Sequence, residues 1–185
     1  GIEGLKILSE IGRQYGLLTV SEILDPRDVE LGVKYLDLIQ IGSRNMSNFS
    51  LLKEVGKTKK PVLLKRGYMS TVSEFLHAAE YIVSEGNTSL IMCERGIRSF
   101  ENSTRNILDI AGIALIQKET SLPVVVDLSH SLGRKDILPP VAKAVLAMGI
   151  DGIMLEVHPQ PEYALSDQQQ QLNLDELDDF LQALY

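Results

Sequence analysis

PVVVDLSHSLGR, residues 123–134, decides the fold class. Val124–Asp127 reads as a short buried strand of mostly β-branched residues that runs straight into a polar loop. A strand whose last residues are Asp, Ser and His leaves the core facing a site. His130 is therefore a candidate metal ligand or acid–base group, and Asp127 lies close enough in sequence to hold its second ring nitrogen. The plain alternative is a strand that ends in a solvated loop, with His130 as a polar cap.

Outward from this stretch the same unit recurs: a short strand, a polar loop, an amphipathic helix. Strand-like segments lie at Leu17–Glu22, Asp37–Ile41, Pro61–Lys65, Ser89–Cys93, Val124–Asp127 and Ile150–Glu156. Helical patterns lie near Pro26–Tyr35, Asn48–Val55, Thr71–Ser84, Ser103–Glu119 and Pro139–Met148. Gly1–Tyr15 reads as mostly helix, with Ile2, Leu5, Leu8 and Ile11 near helical spacing. Asn173–Leu184 reads as a closing helix with an Asn cap and acidic first turns. Successive strands start about 27 residues apart, a step that suits βα units. Strands alternating with helices imply a parallel sheet, covered on both faces or closed into a barrel.

The bulk properties fit one such domain. The chain has 185 residues, 44% of them hydrophobic, enough for one sizeable core. A single cysteine, Cys93, excludes an internal disulfide framework and fits a reducing cytoplasm. The net charge of −7 and a pI near 5.0 argue against a nucleic-acid binder. No apolar run approaches the roughly 18 residues of a membrane span, and the first residues carry no secretory pattern. Anionic small substrates stay open, because local Lys and Arg outweigh distant acidic residues.

The polar residues crowd at strand ends: Glu22, then Ser43 and Arg44, Lys65 and Arg66, Glu94 and Arg95, Asp127 and His130, Glu156 and His158. In a parallel architecture these ends share one face, where such folds place their sites. Two chemistries separate. Arg44, Lys65, Arg66, Arg95 and Arg98, with Arg134 and Lys135 nearby, suit a phosphate or carboxylate. Solvated loop charge is the alternative, easiest for Arg98 and Lys135. His130, Glu156, Asp167 and conceivably His158 suit a divalent transition metal with open positions. His77 reads as structural and Cys93 as core. Neither GxGxxG nor GxxxxGK[ST] occurs.

Five motifs carry a resemblance: IQIGSRN (39–45), KPVLLKRG (60–67), GNTSLIMCERGIRSFE (86–101), VVVDLSHSLGR (124–134) and GIMLEVHPQPEYALSD (152–167). In order and spacing the chain resembles the 3-deoxy-7-phosphoheptulonate (DAHP) synthases, in particular the short branch of Gram-positive bacteria and thermophiles. The resemblance implies an α/β fold of the (β/α)₈ TIM-barrel family. It implies condensation of phosphoenolpyruvate with erythrose 4-phosphate, releasing phosphate, as the first step of the shikimate pathway to aromatic amino acids. It also implies a divalent metal, Mn²⁺ or similar. The family's metal ligands are a Cys, a His, a Glu and an Asp; the last three fall on His130, Glu156 and Asp167. The phosphoenolpyruvate site falls on Arg44, Lys65 and Arg95, with the Ser43 backbone N–H. Glu22 matches a carboxylate near the reacting carbon, and it or a metal-bound water handles the proton traffic. Glu22, Lys65 and His130 are the expected catalytic residues.

The chain departs from the family in its front. It shows about six of the eight βα units of such a barrel, so residues 1–185 read as a single partial barrel lacking the first two strands. The front would carry the AGPCS-type motif with the metal-ligand Cys and the KPRTS-type loop that holds the tetrose phosphate. Cys93 belongs to a different strand end. The expectation is a fragment of a longer polypeptide, or a chain completed by another chain or by an oligomer of its own kind. Two further readings stay open: a non-catalytic remnant that binds phosphoenolpyruvate or a partner synthase, and the sister 3-deoxy-octulosonate 8-phosphate synthase. Neither nucleic acid nor a membrane is expected as a partner.

Overall fold

The computed structural model describes residues 1–184, which form two compact units, one up to Met92 and one from Cys93 onward. The first unit runs α1 (Ile2–Tyr15), β1 (Val20–Glu22), a 3₁₀ turn (Pro26–Asp28), α2 (Val29–Tyr35), β2 (Leu38–Ile41) and a 3₁₀ turn (Ser43–Asn45). It continues through α3 (Phe49–Gly56), β3 (Val62–Lys65), α4 (Val72–Ser84) and the start of β4 (Leu90–Glu94). Strands β1, β2 and β3 are parallel neighbours, with Glu22 level with Gln40 and Ile41 level with Leu64. All four residues of β3 are buried, as expected of a parallel strand covered on both faces. Leu36, Ile39, Ile41, Leu51, Leu52, Leu64, Phe75 and Ile82 form the core.

Local signals explain the boundaries. Thr71 and Glu74 close a capping box at the start of α4, and Asn48 accepts from Leu51 N at 3.2 Å to start α3. In α1 the helical spacing is confirmed, yet Ile2, Leu8 and Ile11 remain substantially exposed. The side of α1 that packs closest does so at Gly12, where a Cβ would lie 2.3 Å from Thr19 Cγ2. Asp37, one residue before β2, clasps the residue before β1. Its Oδ2 accepts from Thr19 N (2.8 Å) and Thr19 Oγ1 (2.9 Å), and its N–H donates to Thr19 O (3.0 Å).

The second unit holds the end of β4, α5 (Ile110–Glu119), β5 (Val124–Asp127), α6 (Leu128–Leu132), α7 (Leu138–Leu146), β6 (Gly152–Met154), a 3₁₀ turn (Pro161–Tyr163) and α8 (Leu174–Leu184). Strands β5 and β6 are parallel, with Asp127 level with Met154. The aspartate clasp returns here: Asp151 Oδ2 accepts from Val124 N (2.8 Å), and Asp151 N donates to Val124 O (2.9 Å). The Asn cap of the closing helix is present and reciprocal, since Asn173 Oδ1 accepts from Glu176 N and Glu176 Oε2 from Asn173 N, each at 2.8 Å.

Two expectations are corrected. The segment after β5 is not a polar loop but α6, because Asp127 accepts from His130 N (3.0 Å) as N-cap and Gly133 ends the helix in the left-handed region at φ 67°. Residues 103–109 are not helical. Their donors are used elsewhere: Arg105 N to Leu132 O, Asn106 N to Ser131 O and Ile107 N to Ile97 O, all at 2.9 Å. Asp109 then caps α5 by accepting from Gly112 N.

Two stability predictions follow from these contacts. The Thr19 bonds hold the Asp37 carboxyl below its ordinary value, the backbone bond contributing most. A carboxyl with a lowered folded pKa stabilises above its unfolded value of about 4 and loses that contribution as pH falls through the folded one. Asp37→Asn is therefore expected to lower the urea midpoint at pH 7, and the gap to the parent should close toward pH 3. Gly133→Ala should cost about 1–2 kcal/mol for the left-handed backbone alone. Its Cβ would also meet Arg105 Cβ at 2.5 Å, whereas Gly149, with φ 72°, has nothing within 4 Å. Urea unfolding should therefore rank Gly133→Ala as clearly more destabilising than Gly149→Ala.

Candidate active site

In the second unit three side chains converge. His130 Nε2 lies 3.6 Å from Glu156 Oε1 and 3.8 Å from Asp167 Oδ2, and the three atoms all fall within 4.8 Å of one another. His130 comes from α6, Glu156 from two residues beyond β6, and Asp167 from the loop after the last 3₁₀ turn. Ligand atoms bonded to one cation at about 2.1 Å stand about 3–3.5 Å apart, so this set needs only a slight contraction to hold a divalent ion. Imidazole and carboxylate together suit a transition metal, and three protein ligands leave positions open for substrate.

The second carboxylate oxygens are both hydrogen-bonded, and the second ring nitrogen faces a carboxylate. His130 Nδ1 stands 2.8 Å from Asp127 Oδ2, although the ring N–H does not point along that line well enough for a good hydrogen bond. Glu156 Oε2 accepts from Gln170 Nε2 at 2.5 Å, and Asp167 Oδ1 accepts from Arg105 Nη1 at 2.8 Å. Asp127 is fully buried. Ser129 Oγ accepts from Glu156 N at 2.9 Å, fixing the strand end that carries the ligand.

The structure narrows the wider candidate sets. His158 Nδ1 accepts from Gln160 N (3.0 Å), and buried Cys93 directs its thiol to Glu94 O (3.7 Å); neither joins the cluster. Buried Glu94 braces its own loop, accepting from Arg95 N and Gly96 N. Arg134 forks onto Asp136 and Lys135 grips Glu176, so both serve surface ion pairs rather than an anion. His77 is exposed on α4.

The remaining site residues sit at strand ends, as expected. In the first unit Lys65 and Arg66 end β3 and are buried, and Arg66 Nε donates to Ser70 O. Burying cations is costly unless something compensates them. Ser43 and the exposed Arg44 occupy the 3₁₀ turn after β2. Glu22 ends β1 against Gly42, where an added Cβ would stand 1.8 Å from Glu22 Oε1; only glycine leaves room for that carboxylate. In the second unit Arg95 is only 6% exposed. Burial pushes its pKa down from the ordinary guanidinium value, while Asp127 opposes that shift and Arg105 adds to it.

Among the described residues, the buried side-chain atoms without a hydrogen-bond partner are Glu22 Oε1, Arg95 Nε and His130 Nδ1. All three belong to residues singled out from sequence. Unsatisfied buried polar atoms are costly in a protein built for stability alone, and they concentrate where a ligand binds. Sequence reasoning missed Arg105 and Gln170. Arg105 looked like part of a helix, and Gln170 is the third residue of the run Gln168–Gln171, which reads as undifferentiated polar chain.

Comparison with known proteins places this geometry. The model of the DAHP synthetase I family matches residues 1–185. Over 184 residues the chain is 50% identical to the phospho-2-dehydro-3-deoxyheptonate aldolase of Thermotoga maritima, covering all of this chain and 54% of that relative. A more distant relative, the 2-dehydro-3-deoxyphosphooctonate aldolase of Methylococcus capsulatus, is 30% identical over 193 residues, 98% of this chain and 67% of its own. A truncated form of 3-deoxy-D-arabino-heptulosonate 7-phosphate synthase from Thermotoga maritima superposes with a TM-score of 0.95 at 50% identity, over 98% of this chain and 70% of that one. The crystal structure of the Thermotoga maritima DAHP synthase gives a TM-score of 0.96 at 49% identity, over 100% and 54%. The chain thus spans about half the length of the Thermotoga relative. Its fold is that of the TIM-barrel synthases, and among the described residues no helix is long and apolar enough to cross a membrane. The chain belongs to the DAHP synthetase I family.

Proposed function

We propose that this chain is the metal- and phosphoenolpyruvate-holding part of a 3-deoxy-7-phosphoheptulonate synthase, six βα units of one barrel domain. The observation that carries the reading is the convergence of His130, Glu156 and Asp167, the outer oxygens of both carboxylates hydrogen-bonded, in a chain half identical to the Thermotoga aldolase.

His130, Glu156 and Asp167 hold a divalent cation, Mn²⁺ or similar. When bound, such a cation supplies Lewis-acid polarisation of an aldehyde oxygen. Lys65, Arg95 and Arg44, with the Ser43 N–H, bind the phosphate and carboxylate of phosphoenolpyruvate through charge-assisted hydrogen bonds. Carbon C3 of the enol bonds to the aldehyde carbon of erythrose 4-phosphate, and the aldehyde oxygen takes up a proton. Water adds at C2; one of its protons passes through Glu22 to the aldehyde oxygen, and the other leaves with the phosphate. The bond from C2 to the phosphate oxygen then breaks, leaving the ketone of the seven-carbon product and free phosphate. The orphaned Oε1 of Glu22 and Nε of Arg95 support these assignments. The exposed apolar residues of α1 support cover by further polypeptide, from the same chain or from a second copy. The lone buried Cys93 fits a cytoplasmic setting.

A second reading, a remnant that binds without turnover, is favoured by one observation, the 54% coverage of the Thermotoga relative. The sister octulosonate chemistry is disfavoured by identities of 50% against 30%. Its eight-carbon product requires a pentose phosphate acceptor in place of the tetrose.

The test combines binding and phosphate release. The purified chain should bind one Mn²⁺, and His130→Ala should abolish that binding while leaving the circular dichroism spectrum unchanged. Phosphate release from phosphoenolpyruvate with erythrose 4-phosphate, absent in His130→Ala, would support the full reading. Binding of both ligands without release would favour the remnant, and release only with a pentose phosphate would favour the sister chemistry. A wild-type chain that binds no Mn²⁺ would overturn the metal assignment. Arg95→Ala should weaken phosphoenolpyruvate binding by roughly 10–100-fold, the worth of a buried charged hydrogen bond. Unchanged affinity for that substrate would remove Arg95 from the site.

A further inference from the structure

We propose that Gln170 and Arg105 are positioning residues of the metal centre: an amide–guanidinium relay, buried at Gln170, that holds Glu156 and Asp167 with one oxygen each turned toward the cation. The inference rests on the metal assignment above and goes beyond it to residues that never touch the ion.

The relay is continuous. Arg105 Nη1 donates to Asp167 Oδ1 and to Gln170 Oε1, both at 2.8 Å, and Gln170 Nε2 donates to Glu156 Oε2 at 2.5 Å. Its direction is fixed by chemistry. An ionised carboxylate only accepts and a guanidinium only donates, so the amide between them has one orientation that satisfies both ends. Gln170 is 5% exposed, which shields both of its bonds from water. The oxygens left over, Glu156 Oε1 and Asp167 Oδ2, are the two that face His130 Nε2.

The backbone is built to deliver these two side chains. Arg105 N donates to Leu132 O, and Gly133 leaves the space that lets Arg105 pass, since a Cβ there would stand 2.5 Å from Arg105 Cβ. Gln170 N donates to Asp167 O (3.2 Å), and Leu172 N donates to Glu156 O (3.0 Å), so the loop that carries one ligand is stitched to the strand end that carries the other. Asp167 is the non-glycine residue with positive φ among the described residues, 54°. A residue held in that region needs its surroundings to keep it there, and the Arg105 bond does so.

The two residues are separable by experiment. Removing Arg105 would also remove a positive charge near the cation, which by itself strengthens metal binding. Gln170 is neutral, so Gln170→Leu, close in volume, reports orientation alone. Partners that orient metal ligands typically contribute about 10–100-fold in affinity.

Mn²⁺ affinity is measured by calorimetry on the full chain, alongside the visible absorption spectrum of the Co²⁺ form and the unfolding midpoint without metal. Gln170→Leu is expected to weaken Mn²⁺ binding roughly 10–100-fold and to shift the Co²⁺ bands. Arg105→Lys, which keeps the charge, should weaken binding less. The double variant should lose less than the sum of the two, because both lie on one path. A Gln170→Leu chain with wild-type Mn²⁺ affinity and an unchanged Co²⁺ spectrum would overturn the inference, whatever its unfolding midpoint. Binding absent in the wild type, or undiminished in His130→Ala, would instead overturn the metal assignment, and the relay with it.

Discussion

The second unit turns on one buried carboxylate. Asp127 ends β5, and its two oxygens do different work: Oδ1 accepts from His130 N and starts α6, while Oδ2 stands 2.8 Å from His130 Nδ1. The first bond is an N-cap, worth about 1 kcal/mol in a typical helix. The second contact turns Nδ1 toward Asp127, while Nε2 faces Glu156 and Asp167. With Asp127 fully buried, the backbone donor, the ring and the nearby Arg95 charge all help to make its charge tolerable. Remove it, and both the chain direction after β5 and the presentation of Nε2 lose their anchor. This is why a strand, a helix start and a metal ligand share so few residues.

The same economy governs the two carboxylates opposite. Glu156 and Asp167 bring like charges near one imidazole, an arrangement that is unfavourable unless something compensates each of them. The protein provides donors on the outer side of both, Gln170 for one and Arg105 for the other. What remains is a pair of inward oxygens with no protein donor between them and the His130 Nε2 atom alongside. A divalent cation held as proposed would relieve the cost of keeping the two carboxylates there.

Most of the fold was legible because its signals are local. The apolar run at residues 62–64 marked β3 and the β-branched run at residues 124–126 marked β5, the Thr71 and Asn173 caps marked α4 and α8, and the alternation of strands and helices indicated a parallel sheet. The errors have one cause. Residues 103–109 and Leu128–Leu132 were misread because distant or side-chain partners decided them: Leu132 O and Ile97 O for the former, the Asp127 carboxylate for the latter. The site divides the same way. Glu22, Lys65, Arg95, His130, Glu156 and Asp167 stood out because charged or metal-capable groups at strand ends have no use in a core. Gln170 did not, because a neutral amide in a glutamine run carries no signal until its two partners are in place. Arg134 and Lys135, which lie near the cationic group in sequence, form surface ion pairs with Asp136 and Glu176, and a surface ion pair and an anion seat use the same residue types.

The division of the chain bears on what its chemistry requires. Every atom of the metal cluster and of the groups that hold it, Asp127, Arg105, Gln170 and Ser129, lies in the unit that begins at Cys93. The first unit contributes none of these. Glu22, Ser43, Arg44 and Lys65, by contrast, all lie in the first unit, at the ends of three neighbouring parallel strands. The proposed metal centre therefore lies within one compact unit. Of the cationic candidates, Arg44 and Lys65 belong to the first unit and Arg95 to the second. On that proposal a lesion in the first unit would spare the cation site, whereas a lesion around Asp127 would disturb both His130 and the start of the helix that carries it.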